Sequence, residues 1–168
     1  LDLKKRYNQI IPLNLFVEFK ETSENTIDNI LEKKNILNDI DIMSIDIDSY
    51  DLDIYKSIKK YYPKLLIIEG GRQKYGVLSE HSKDKKQNSF SSIYEVIKQK
   101  YYLIFYNGNL FFLNKDNFSK KHIEDNYYTN DEYHYLLHCI YHNYSKRGLL
   151  KRFLVDLLSK NKLLMKLI

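Results

Sequence analysis

Apolar and polar positions alternate along Asp39–Ile47, with isoleucine at four of them, and this two-residue period predicts a strand. The cluster Asp48-Ser49-Tyr50-Asp51 follows, rich in residues that form turns and cap helices. Leu52, Ile54, Tyr55 and Ile58 then recur as one face of a helix, which Lys59-Lys60 closes and Pro63 ends. Leu65–Ile68 is a continuous apolar run between Pro63 and Gly70-Gly71, the pattern of a strand buried on both faces. Strand, helix and strand within about thirty residues make a βαβ unit, so the sheet is expected to be at least partly parallel.

The flanks are read the same way. Leu13–Phe19 predicts a strand, and Glu24–Lys34 a helix capped by Ser23 or Thr22. Arg72–Phe90 has no clear period and reads as a loop or lid. Ser91–Lys100 carries apolar residues at helical spacing. Tyr101–Tyr106 and Leu110–Leu113 are apolar runs joined by Asn107-Gly108-Asn109, the strongest short hairpin signal. From Asn130 onward the pattern is helical, in segments 131–144 and 149–168 with Gly148 between them. The expected architecture is an α/β domain over residues 1–118 and a helical C-terminal extension over 119–168. That domain is expected to have three layers, its sheet mostly parallel with a terminal antiparallel hairpin.

Composition narrows the function classes only slightly. The 168 residues are 43% hydrophobic and 29% charged, the balance of a globular domain, with no apolar run long enough to span a membrane. A single cysteine, Cys139, excludes a disulfide framework and places the chain in a reducing compartment, taken as the cytoplasm. The net charge of +5 rests on short lysine blocks at 83–86, 120–121 and 146–152, best read as solvated surface; nucleic acid and membrane are not the expected partners. Sixteen tyrosines are spread along the chain without an RNA-binding aromatic signature. Alanine is absent while Lys, Asn, Ile and Tyr abound, the bias of an AT-rich coding sequence.

Candidate chemistry concentrates in carboxylates. Asp46, Asp48 and Asp51 follow a central parallel strand, at the end where open α/β sheets place ligands, and Glu69 ends the next strand. Such a group can accept a proton from a substrate hydroxyl or hold a divalent cation through oxygen. The competing structural role is helix capping by Asp48 and a first-turn position for Asp51. His134, His138 and His142 would line one helix face, but the outer two lie about 12 Å apart along it, too far to wrap one tetrahedral zinc. No metal is assigned to them. The apolar stripe Leu149, Leu150, Phe153, Leu154, Leu157 and Leu158 suits a helix packed on the sheet or on a partner subunit, including a second copy.

Ile42–Asp51, Ile54–Ile58 and Pro63–Glu69 resemble FkbM-type methyltransferases, which show an acidic SIDIDG-x-D segment followed by a strand of the form PK-apolar-apolar-apolar-E. Glu24–Asp28 is similar to their ENI-D segment, and Asn109–Leu113 to the N-A-F-F-V of their last hairpin. The resemblance spans residues 3–116. Ser49 stands where that family usually has glycine, and Gly70-Gly71 where it has an aromatic residue and asparagine. It implies a Rossmann-like fold, S-adenosylmethionine as methyl donor, and O-methylation of a hydroxyl on a small molecule or glycan. Asp46, Asp48, Asp51 and Glu69 would be the catalytic residues, with Asn109 binding substrate. The Gly-rich turn and ribose-binding acid that hold such a cofactor are expected upstream of Leu1, since none of the five glycines here forms a Gly-x-Gly. This chain alone is therefore expected to bind the donor weakly, and the alternative is a truncated, non-catalytic binding or interaction module.

Overall fold

A computed structural model of the protein describes residues 11–70 and 88–127. The expected helices at 131–144 and 149–168, the three-histidine stripe, and most of the Arg72–Phe90 segment lie outside the described residues. The elements run α1 (Ile27–Lys33), β1 (Ile42–Ile45), α2 (Asp51–Ser57), β2 (Leu65–Glu69), α3 (Phe90–Ile97), β3 (Tyr101–Tyr106), β4 (Asn109–Asn114) and α4 (Lys120–Asn126).

The four strands form one mixed sheet in the order β1-β2-β4-β3. β1 and β2 are parallel with Ile42 opposite Leu65, so the expected strand–helix–strand unit is present. Both pairings of β4 are antiparallel, with β2 and with β3. The expectation of a mostly parallel sheet is therefore corrected: two of the three described pairings are antiparallel. The cause is the insertion of β4, not β3, beside β2. An Asn107-Gly108 turn, with Gly108 at φ 110°, reverses the chain, so β3 still points the same way as β1 and β2. The hairpin was visible in the sequence; which of its strands meets the sheet was not.

One face of the sheet carries the core. Register and alternation bring Ile45, Leu66, Ile68, Leu110, Phe112, Tyr101 and Leu103 to that face, where Leu52, Ile54 and Tyr55 of α2 and Phe90, Ile93 and Ile97 of α3 pack on them. A bulge at Ile104 shifts the register of β3, which lets Tyr106 rejoin the core. β2 is not buried on both faces as expected: Leu66 and Ile68 are fully buried, while Leu65, Ile67 and Glu69 are half-buried.

Four local details differ from, or add to, the expectation. Leu13–Phe19 alternates like a strand, but no described strand pairs with it, and Leu13, Leu15 and Phe16 stay exposed. α1 starts later than expected, with Thr26 as N-cap accepting the Asn29 N–H. Ser23, the expected cap, is committed elsewhere: its hydroxyl donates to Glu18 and accepts the Asn25 N–H. α2 has Tyr50 at its N-cap without a side-chain cap bond, so Asp48 does not cap it. α4, with Ile123 fully buried, lies at the start of the expected helical extension 119–168, ahead of the helical pattern read from Asn130 onward.

Candidate carboxylate site

β1 and β2 end side by side, and Ile45 lies opposite Ile68 on the core face. The next residue in each case, Asp46 just after β1 and Glu69 at the end of β2, therefore turns to the other side. Asp46, Asp48 and Glu69 each offer a carboxylate oxygen, and these three atoms lie within 4.8 Å of one another. Asp46 and Asp48 are exposed and Glu69 is half-buried. Asn109 is the cross-strand partner of Glu69, so it stands beside the cluster on the same face.

The loop carrying the aspartates is held by two buried side chains, Asp51 and Asn88. Asp48 has a left-handed backbone, φ 63°, a conformation aspartate tolerates better than most residues. Asp51, in the first turn of α2 and 4% exposed, accepts the Ile47 N–H at 3.0 Å and the Ser49 N–H at 3.1 Å. Burial pushes the Asp51 carboxyl above its ordinary range; the backbone donors pull the other way, and the negative charge of Asp46 adds to the rise. Asn88, also buried, donates from Nδ2 to the Ser49 carbonyl at 3.2 Å. Glu69 is anchored through its neighbour. The Gly70 N–H donates to the Gly108 carbonyl at 2.9 Å, and a Cβ at Gly70 would lie 2.7 Å from Leu110 Cδ1.

Of the residues singled out in the sequence, Asp46, Asp48 and Glu69 come together and Asn109 adjoins them. Asp51 is turned inward as a clamp on the loop. Asn88 was not singled out, and Gly70 was read only as a strand boundary and a departure from the family pattern; a buried Asn two residues before a helix and a Gly after an apolar strand carry no sequence signal specific to a site. A second feature was also missed. Leu15–Lys20 faces Ile47, Ser49 and Tyr50 across a groove of about 620 Å³, and Phe19 stacks on Tyr50 with ring centroids 5.3 Å apart.

Clustered carboxylates can accept hydrogen bonds from hydroxyls, take a proton, or bind a hard cation through oxygen. The residues described do not fit S-adenosylmethionine by themselves. The close backbone approach that glycine permits is used at Gly70 by the protein's own hairpin, and no other described glycine adjoins the cluster except Gly108 in that hairpin. No family model matches the chain, and neither a curated protein nor a solved structure matches it.

Proposed function

We propose that this chain carries the acceptor-hydroxyl side of a Rossmann-like, S-adenosylmethionine-dependent O-methyltransferase of the FkbM type, working in the cytoplasm, with the methyl donor held by residues other than those described. The observation that carries this reading is the convergence of Asp46, Asp48 and Glu69 within 4.8 Å at the carboxyl ends of two parallel strands. A hydroxyl meeting this cluster donates to Asp46 Oδ, which orients it and takes its proton, while Asp48, Glu69 and Asn109 receive neighbouring polar groups of a glycan or polyol. Ser49 in place of the family's glycine is compatible with this role, because the left-handed backbone falls on Asp48 and not on Ser49.

The closed surroundings of Gly70 favour a second reading, a non-catalytic binding module on the same fold. Isotope-edited NMR of this chain titrated with methyl hexopyranosides tests the shared premise. Millimolar binding that shifts the amides of Asp46, Ser49, Glu69 and Asn109, and is lost in Asp46→Asn, is expected. Silence of these amides throughout a panel of sugars and polyols removes hydroxyl recognition. Calorimetric titration with S-adenosylmethionine then separates the two readings, since saturable micromolar binding contradicts the module.

A further inference from the structure

The register that builds the core on one face of the sheet orders the other face as well. Ile42, Leu65, Leu113 and Tyr102 stand side by side across the four strands. Ser44, Ile67, Phe111 and Phe105 form the next row, with the two phenylalanine rings 5.5 Å apart. Asp46, Glu69 and Asn109 continue the face at its carboxyl end. Apart from Ser44 the first two rows are aliphatic or aromatic, the third carries carboxylates, and none of the three holds a cation. The buried core cluster lies on the opposite face, with α2 and α3. Leu113, 7% exposed, and Ile123 of α4, fully buried, do not belong to that cluster. Apolar side chains withdrawn from water without joining the core mark a second apolar layer, and Leu113 places it on this face. A sheet that is apolar on both faces needs a cover on each.

The described chain ends at Tyr127, just after α4, and residues 128–168 follow it. Residues 149–158 lie outside the described residues, and their sequence carries the six-residue apolar stripe with Lys151, Arg152, Lys160 and Lys162 within and beyond it. As a helix this stripe is about 14 Å long at 1.5 Å per residue. Four strands at their usual spacing are about 14 Å wide, so the stripe matches the sheet it would cross. Residues 128–148 can span up to about 70 Å, so the connection sets no limit. We propose that residues 149–158 pack as a helix on this second face and complete the third layer of the fold. Charge selects this occupant over a second copy of the same face. The segment brings four cations to a face that has three carboxylates near its edge, whereas a second copy brings three more carboxylates.

Nuclear Overhauser contacts in the full chain test this placement. Methyl cross-peaks from Leu154 or Leu157 to Ile67 and Leu113 are expected, with relative intensities independent of protein concentration. Leu157→Asp should abolish them and shift the Leu65, Ile67 and Leu113 methyls, while those of Ile54 and Ile93 on the core face keep their positions. Should that variant fail to fold, the wild-type cross-peaks decide by themselves. Cross-peaks seen only between labelled and unlabelled chains in a mixed sample overturn the proposal in favour of a second copy. Cross-peaks to Ile54 or Ile93 instead place the segment on the side of α2 and α3 and overturn it too. A spectrum without any contact from Leu154 or Leu157 to the sheet leaves the face to another partner and equally ends the proposal.

Discussion

The two ends of the β1–β2 pair are built on opposite plans. At the amino end, charges and polar groups are matched. Lys64 Nζ lies 2.9 Å from both Asp39 and Asp41, the Pro63 carbonyl accepts from Tyr101 and Asn114, and Asp28 accepts three successive backbone N–H groups from Lys59, Lys60 and Tyr61. At the carboxyl end, three carboxylates share 4.8 Å, a loop residue is left-handed, and an apolar groove stands open. Asp46 and Asp48 have no ion pair among the described residues. Polar groups that neutralise each other explain stability; like charges gathered beside an exposed apolar surface do not, and this is what directs attention to one end as the site.

If that division holds, substitutions at the two ends should act with opposite signs, except for the residue that clamps the site. The largest effect is expected at that residue. Asp51→Ala leaves the Ile47 and Ser49 N–H groups without their acceptor and should cost ~2–3 kcal/mol in denaturant unfolding. The sign with pH is informative. Burial raises the folded-state pKa of Asp51 above its ordinary 3.8, so its ionisation opposes folding. Relative to Asp51→Asn, the wild type should gain stability as pH falls through that raised value toward 3.8, and gain no more below it. A wild type that instead loses ground over that window would show that the two backbone donors outweigh burial.

Asp28→Ala comes next, on the matched end. It removes one carboxylate from three backbone donors in the connection between α2 and β2, and a loss of ~2 kcal/mol is expected. The partly exposed setting lets water replace some of these bonds, which is why the loss should not exceed that at Asp51. An unchanged midpoint would mean that α1 is not held to the sheet through Asp28.

How far these roles could be read from the chain depended on the distance over which each is decided. Local period and turn chemistry fixed the strand–helix–strand unit and the hairpin, because isoleucine alternation and Asn107-Gly108 act within a few residues. Sheet order depends on whether β3 or β4 meets β2, and the observed β2–β4 partners, from Glu69 with Asn109 to Leu65 with Leu113, are far apart in sequence, so nothing local decides it. The alternation of Leu13, Leu15, Val17 and Phe19 was misleading for the same reason: it fits a strand, yet the structure describes no partner for it. At the site, Asp46 and Glu69 were legible from the rule that ligands gather at strand ends. Asp51 was legible as a helix first-turn residue, but its bonds back to Ile47 and Ser49 require the left-handed turn at Asp48, which the sequence does not announce.

That turn supplies a third, smaller prediction. Asp48→Gly removes both a left-handed non-glycine residue and one member of the carboxylate cluster, and should stabilise the fold by ~1 kcal/mol, part of the gain being offset by the greater freedom of glycine in the unfolded chain. The same change should weaken any ligand held by the cluster. Stability and binding moving in opposite directions is the signature expected of the carboxyl end and of no residue at the amino end.

The smallest effect should come from Asp46→Asn, which keeps the shape of the side chain and removes only its charge. Asp46 is exposed, so relief of repulsion from Asp48 and Glu69 is worth only ~0.5 kcal/mol and should fade as added salt screens the remaining charges. The result discriminates between the two things a carboxylate cluster can meet. If the site receives hydroxyls, wild type and Asp46→Asn should show the same melting temperature with or without millimolar Mg²⁺ or Ca²⁺, apart from the small salt-dependent gain. If it holds a divalent cation, the wild type should be stabilised by that ion and the variant should not, because a bound ion adds its binding free energy to the folded state alone. A cation-dependent rise confined to the wild type would replace hydroxyl recognition with metal binding as the reason these three carboxylates stand together.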